Sequence, residues 1–402
     1  MKIVHVEDFV HPDAGYQVNQ LSRLQARDGH EVVIVAAELE KAPTFLTRFF
    51  GADNIPERDE RFFRETGVRI VRGPVYGFYS GRALFHPRLF RIVADLEPDC
   101  VFVHSEDSLS GMFFIWLAPF LSYPLIFDSH SLEMGSVHRF KGGFRLFYRW
   151  LVAPFIVWNK IPLVRLADSN YVEECLGIPL RHTILLSFGT DTDLFRPDAT
   201  SKQAFLARHG LENGTFVALY AGKLDEHKGG KFLAKALQQR LVSKTGKPIV
   251  FLIVGSTDGK YGQEVEELLA SSPNRIIRMP TQRYLDLADI YKASDIALYP
   301  RQCSMSFYEA QSSGLPVLFE VNEVNEQRAG HDNALTFEPG NLDDFRAKLM
   351  ALVDMPPAQH SAMAQAARAH VMEGFDFLPI ARQFTEIMRK AAERFKARKA
   401  RP

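Results

Sequence analysis

Cysteine is scarce in this chain. Cys100, Cys175 and Cys303 are the three in 402 residues, and their wide separations fit neither a disulfide framework nor a thiolate metal site. An excess of one charge is missing as well: Lys plus Arg and Asp plus Glu both total 48, so nothing points to nucleic acid or to an acidic partner. Clean apolar runs of membrane-spanning length are absent. Residues 113–127 are short and broken by prolines, and 144–166 carry Arg145, Arg149, Lys160 and Arg165. There is no low-complexity tract and no short-period repeat. The opening MKIVHVEDF reads as a strand rather than a signal peptide. These absences leave a globular chain, expected in a reducing cytosol, whose length favours two domains.

What is present is an alternation of short buried strands and amphipathic helices. Residues 2–6 form a strand, a helix covers about 16–27, and 31–36 form a second strand, a β-loop-α-β unit suited to a parallel sheet. Residues 38–67 have little pattern and read as an irregular insertion. The segment 144–166 reads as helical, broken near Pro154 and Pro162. Residues 187–198 look like an interdomain connection, and the alternation restarts at 216–220. The domains expected are 1–188 and 189–375, with a final helix in 376–402 returning to the first.

Residues 299–320, YPRQCSMSFYEAQSSGLPVLFE, organise the second half. A strand ends at Pro300, Ser306 and Glu309 have capping-box spacing, Gly314 stops a helix, and Pro316 prevents its continuation. A loop leaving a parallel strand for a helix is where open α/β sheets hold anions. Lys223 and Lys228 follow the first strand of this half and lead into Gly229-Gly230, a positive site shaped for a diphosphate. A lysine pair alone is usually solvated surface, and a glutamate early in a helix is usually a cap. Here both belong to the ends of strands in one sheet. In the first half Gly15 precedes a helix, where backbone can approach a phosphate, and two strand ends deliver His104, with Glu106 beside it, and His130 to a common rim. His104 is a candidate for acceptor contact. Asp191-Thr192-Asp193 has metal-site spacing but lies in the connection, so no metal site is assigned.

Taken in order, Gly15, GHEVVIV (29–35), ADSNYVEECL (167–176), FGTDTDLFRPD (188–198), GKLDEHKG (222–229), ASDIALYP (293–300) and YEAQSSGLPVL (308–318) make the chain resemble the retaining glycosyltransferases of the GT-B type, in the group 1, family 4-like class. The resemblance spans nearly the whole chain. It implies two Rossmann-like domains facing a cleft, and metal-independent transfer of a hexosyl unit from a nucleotide-diphosphate sugar to a glycan or lipid-linked hydroxyl, in the setting of surface-polysaccharide synthesis. No cofactor beyond that co-substrate is implied. By resemblance, Lys223 and Lys228 bind the diphosphate with Gly15 nearby, Glu309 holds the ribose hydroxyls, and the backbone from Met279 to Thr281 meets the base. His130 lies beside the sugar, with His104 and Glu106 on the acceptor side. The chain departs from the family where a first glutamate is usual, for Arg301 stands there. Ser304, Met305 and Ser306 are then the expected donors to the sugar. Two other classes stay open: a nucleotide-sugar 2-epimerase of the same architecture, and a nucleotide-sugar-binding partner without turnover, which the missing glutamate would suit. Basic and aromatic residues alternate over 138–150, which would suit the inner face of an anionic membrane.

Overall fold

The structure, a computed structural model, describes residues 1–130, 141–166, 168–301, 305–329 and 332–400. Their contacts divide the chain into two compact units, Met1–Phe188 with Leu378–Pro402, and Gly189–Phe377.

The first unit holds β1 (Lys2–Glu7), β2 (Glu31–Ala37), β3 (Arg69–Gly73), β4 (Val75–Tyr79), β5 (Arg82–Phe85), β6 (Cys100–Val103), β7 (Leu125–Ser129), β8 (Leu163–Arg165) and β9 (Thr183–Leu185). Its seven-stranded sheet runs β3-β2-β1-β6-β7-β8-β9 with every pair parallel, while β4 and β5 form a separate antiparallel hairpin. The second unit holds β10 (Phe216–Ala221), β11 (Ile249–Val254), β12 (Ile276–Met279), β13 (Ile296–Tyr299), β14 (Val317–Glu320) and β15 (Ala334–Phe337), ordered β12-β11-β10-β13-β14-β15 and again all parallel. Strands such as β6 and β13 are buried at every residue, because helices cover both faces of a parallel sheet; hence their unbroken apolar sequence.

In each sheet the strand order reverses at its first strand, between β1 and β6 and between β10 and β13. The chains leaving these strands diverge to opposite sides and open a crevice at the carboxyl ends.

Several expectations are corrected. The insertion at 38–67 contains the helices Thr44–Thr47 and Ile55–Thr66. The second buries only Ile55 and Phe62, too sparse a stripe to stand out among its charges, and Arg72 grips its Asp59 through two bonds of 2.7 and 2.8 Å. Across 144–166 the chain breaks ahead of Pro154 as expected, into the helices Lys141–Leu151 and Ala153–Trp158, but Leu163–Arg165 are the strand β8 and not helix.

The last helix, Phe377–Lys399, packs within the first unit. It buries Phe384, whose ring stacks 5.8 Å from Phe102, together with Met388 and Ala392. Each large apolar side chain so buried contributes about 1.5–3 kcal/mol. The solvent-facing Arg382–Asp28 pair, at 2.8 Å, is worth about 1 kcal/mol at most. Apolar packing therefore fixes this helix. Among the described residues no helix is long and apolar enough to cross a membrane.

Candidate active site

At the first crevice, β6 and β7 end side by side and release the segments that begin at His104 and His130. Asp128, fully buried at the end of β7, is the hub. Its Oδ1 accepts from the Ser105 N–H at 2.8 Å, and its Oδ2 meets His104 Nδ1 at 2.7 Å and His130 Nε2 at 3.4 Å. Ser105 is held at φ +68°, a conformation costing about 1–2 kcal/mol for a residue with a side chain. A hydrogen bond to an ionised partner contributes about 1.5–3 kcal/mol, so the carboxylate can stabilise the turn. Gly111 is required beneath it, since a Cβ there would lie 2.6 Å from the Ser105 carbonyl oxygen.

Behind His104 runs a buried file. The Thr385 hydroxyl donates to Ala381 O (3.0 Å) and so accepts from Gln25 Nε2 (3.2 Å). Gln25 Oε1 then takes the His5 Nε2–H (2.8 Å), leaving His5 Nδ1 to accept from His104 Nε2 (3.0 Å). With Nδ1–H turned to Asp128, both ring nitrogens of His104 carry protons. Burial and the neighbouring His104 charge push His5 down to about 3, which keeps it neutral in this file. Burial opposes ionisation of Asp128, but the two imidazoles hold its carboxyl far below the usual range. Burial also disfavours a charged His130; the Asp128 carboxylate outweighs it and raises the imidazole to about 9. Beside them Glu106 is pushed up to about 8 by burial and then by Asp107, and its Oε1 accepts from Ser129 Oγ at 2.6 Å.

His104 and Glu106 are thus not positioned as the acceptor side expects. They are 2% and 0% exposed, and both His104 ring nitrogens are engaged within the protein. They position other groups. His130 does face outward, its side chain 42% exposed and its ring 5.7 Å from Phe188. His104, Asp128 and His130 present ligand atoms within 4.8 Å of one another, as a metal centre would. The bonds among themselves and to His5 already account for that closeness. Gly15 is half-buried on the loop after β1, its carbonyl accepting from Gln20 Nε2 at 2.8 Å.

At the second crevice the loops leaving adjacent strands are laced together. Gly222 N–H donates to Val254 O (2.9 Å), Gly255 N–H to Met279 O (3.1 Å) and Leu224 N–H to Ser256 O (3.1 Å), while Thr281 Oγ1 bonds Ser256 Oγ at 3.1 Å. Lys223, Lys228, Met279 and Thr281 therefore belong to one connected rim. Lys223 is exposed and Lys228 half-buried. The Lys228 N–H is fixed by Asp225 Oδ1 at 2.9 Å. Gly255 sits at φ +140°, and a Cβ there would fall 1.8 Å from the Gly222 carbonyl oxygen. Gly255→Ala should therefore cost about 1–3 kcal/mol, read by urea denaturation; a loss below about 0.5 kcal/mol would mean that the two loops are not so tightly joined.

Across the switch point the Arg301 guanidinium donates to Glu226 O at 3.0 Å, and the Arg301 carbonyl oxygen accepts from Asn325 Nδ2 at 3.3 Å. The loops after β10 and β13 are thereby tied. The helix Ser306–Ser312 begins one residue earlier than a capping box needs: Met305 is its cap residue and no side chain caps it. Ser306 Oγ instead lies 3.3 Å from the Tyr299 hydroxyl. Glu309 is 8% exposed, and burial pushes its carboxyl up to about 7 against the opposing influence of Tyr291. Gly314 does end the helix, at φ +76°. Ser304 lies outside the described residues. Asp191 accepts from the N–H groups of Asp193 and Leu194 at 3.0 and 3.1 Å, so it closes a turn.

The residues missed from sequence are His5, Gln25 and Asp128. A histidine inside an otherwise apolar buried strand was the available signal for His5. An acid closing a strand beside an invited histidine was the signal for Asp128. Chemically, two lysines on a glycine-walled loop suit a diphosphate, a buried carboxyl suits a vicinal diol, and a proton-bearing imidazole suits an oxygen gaining charge.

Two family descriptions match in tandem, Glycosyl transferase 4-like domain over residues 14–156 and Glycosyl transferases group 1 over 215–355. A D-inositol 3-phosphate glycosyltransferase of Rhodococcus erythropolis is 28% identical over 56% of this chain and 52% of its own length. Another, of Nocardiopsis dassonvillei, is 30% identical over 45% and 44%. The chain spans about half the length of the curated relatives it matches. Among solved structures, a glycosyltransferase from Rickettsia africae superimposes with a TM-score of 0.69 at 14% identity, covering 97% of this chain and 98% of that one. Anabaena Alr3699/HepE, in complex with UDP-glucose, gives 0.67 at 15% identity over 97% and 100%.

Proposed function

Because the chain belongs to the group 1 glycosyltransferases and carries the two Rossmann-like sheets of the GT-B class, we propose that it transfers a hexosyl unit from a nucleotide-diphosphate sugar to a hydroxyl of a glycan or lipid-linked acceptor, with retention of configuration and without a metal. The observation that carries this reading is the laced rim of the second unit, which gathers the Lys223–Lys228 loop and the Met279–Thr281 turn beside the strand that leads to Glu309. Fixed ammonium groups stabilise a departing diphosphate through charge that is already in place. A UDP-sugar is the first donor to try, since Anabaena Alr3699/HepE was solved with one.

In this scheme Glu309 binds the ribose diol as a carboxylate, Gly15 offers backbone to the phosphates, and Ser306 with Met305 lies next to the sugar. His130 donates a proton-bearing nitrogen to the sugar side, held there by Asp128. The leaving phosphate helps to take the acceptor proton on the same face. A lipid-linked acceptor would require approach to a membrane. The exposed side chains of Leu146 and Trp150 favour that, although Arg149 is committed to the carbonyls of Glu173 and Glu174. His138, Arg139 and Phe140 lie outside the described residues.

The test is donor binding against pH. A nucleotide-diphosphate sugar has no group titrating near neutrality, so any change between pH 6 and 8 belongs to the protein. The raised Glu309 carboxyl ionises as pH passes about 7; affinity should rise over that interval. Glu309→Gln should bind about 10- to 100-fold more weakly at pH 8 and lose the pH dependence, by calorimetry. Equal affinity of parent and variant across the range would remove Glu309 from the donor site.

A further inference from the structure

We infer that a second pocket, on the first unit at the opposite end of the strands from His130, takes the phosphate headgroup of an anionic phospholipid. It is a cavity of about 710 Å³ between the segments that enter β7 and β8 and the last helix. Lys160, Arg394 and Arg398 line it, and no carboxylate does. None of these three forms an ion pair among the described residues, although Arg398 lies over the Phe395 ring at 5.8 Å. Three cations sharing a concave wall without an acid repel one another, so the arrangement is complementary to an anion. Tyr123 adds to the wall: it is 2% exposed and its hydroxyl is buried without a hydrogen-bond partner.

Lys160 gives a second sign. It ends the helix Ala153–Trp158 at φ +53°, where the following N–H, that of Ile161, returns to Ile156 O at 3.0 Å. Glycine is the ordinary residue at such a helix end. A lysine held there carries backbone strain, and such outliers point toward function.

The rim identifies the source of the phosphate. Trp158 lines the cavity and is 82% exposed, and Phe120, two residues from the lining Ala118, is 84% exposed. The helices that lead to these two residues expose more apolar side chains, Phe113, Trp150 and Leu151, joined through Trp116, whose ring meets Phe113 at 5.6 Å and whose indole N–H donates to Leu151 O at 2.7 Å. A soluble phosphorylated metabolite has no use for exposed indole and phenyl rings. A bilayer does, because tryptophan settles at headgroup depth while arginine and lysine meet the phosphates. β7 alone separates the cavity from the His130 end by about 13 Å, so the pocket is distinct from the proposed donor and sugar site and stands or falls independently of it.

The experiment is flotation of the full chain with vesicles of phosphatidylcholine alone, or of phosphatidylcholine with about one third phosphatidylglycerol to give a negative surface potential. The parent should float only with the anionic vesicles. The double variant R394E/R398E should bind them at least about tenfold more weakly, and W158A should also lose binding while keeping every charge. Both substitutions are on exposed side chains; unchanged thermal melting and unchanged UDP binding would show that the fold and the donor site are intact. Equal flotation of parent and R394E/R398E would overturn the proposal, as would absence of flotation with anionic vesicles. Displacement of the parent from vesicles by millimolar-range glycerol phosphate, without any effect of W158A, would overturn it in favour of a soluble phosphate ligand.

Discussion

Asp128→Ala is expected to destabilise the first unit by about 3–5 kcal/mol, the range found when one partner of a buried ion pair is removed. The carboxylate is fully buried, satisfies the left-handed Ser105 N–H at 2.8 Å, and neutralises a His104 whose other nitrogen is directed at His5. Without it His104 must either lose a proton, breaking the directional file to Gln25, or remain as an unpaired charge in the core. Either outcome exceeds the roughly 1 kcal/mol of an ordinary hydrogen bond. Urea denaturation followed by tryptophan fluorescence measures this. A loss under about 1 kcal/mol would show that His104 is neutral and that the hub is dispensable.

His130→Ala should instead cost less stability than Asp128→Ala, because Asp128 keeps His104 and the Ser105 N–H as partners, and should lower kcat by about 100- to 1000-fold, the effect of removing one donor aimed at developing charge. The donor KM should stay within about threefold, since the diphosphate and ribose contacts assigned to the second unit remain. Burial works against the charged imidazole, yet Asp128 raises it to about 9. If the proton-bearing form acts on the sugar, turnover should hold through neutral pH and decline as pH rises past about 9. The linkage has the same sign for stability. With the folded value above the ordinary 6.5, the contribution of His130 is complete below about 6.5 and is lost as pH climbs through about 9. Asp128→Asn would move the decline in rate to lower pH. A kcat unchanged in His130→Ala would place the sugar elsewhere.

Much of the architecture was written in local pattern. Buried runs such as CVFV and IALY, separated by amphipathic helices, specify a parallel α/β sheet because strands covered on both faces must be continuously apolar. The break at 187–198 separated the two halves, and Gly314 with Pro316 marked a helix end that the backbone keeps. The irregular reading of 38–67 failed because one helix there buries only two side chains, and tertiary contacts such as Asp59–Arg72 supply what the pattern does not. The Ser306–Glu309 capping box failed because the helix takes Met305 as its cap residue and Ser306 as its first turn, one residue ahead of the spacing required.

The candidate site divides in the same manner. Lys223, Lys228 and Glu309 were legible in the linear order, because each sits at a fixed offset from a recognisable strand, and strand ends are where parallel sheets expose backbone to ligands. The file His5–His104–Asp128–His130 was not legible. Its members come from three strands that become neighbours only when β1, β6 and β7 pair in register, and protonation is decided by the partner each nitrogen finds there. The amino-acid sequence by itself determined which segments are strands, which ends carry cations and acids, and that two such halves exist. The tertiary structure alone decided which of those groups are buried and charged, because burial and pairing are properties of neighbours far apart along the chain.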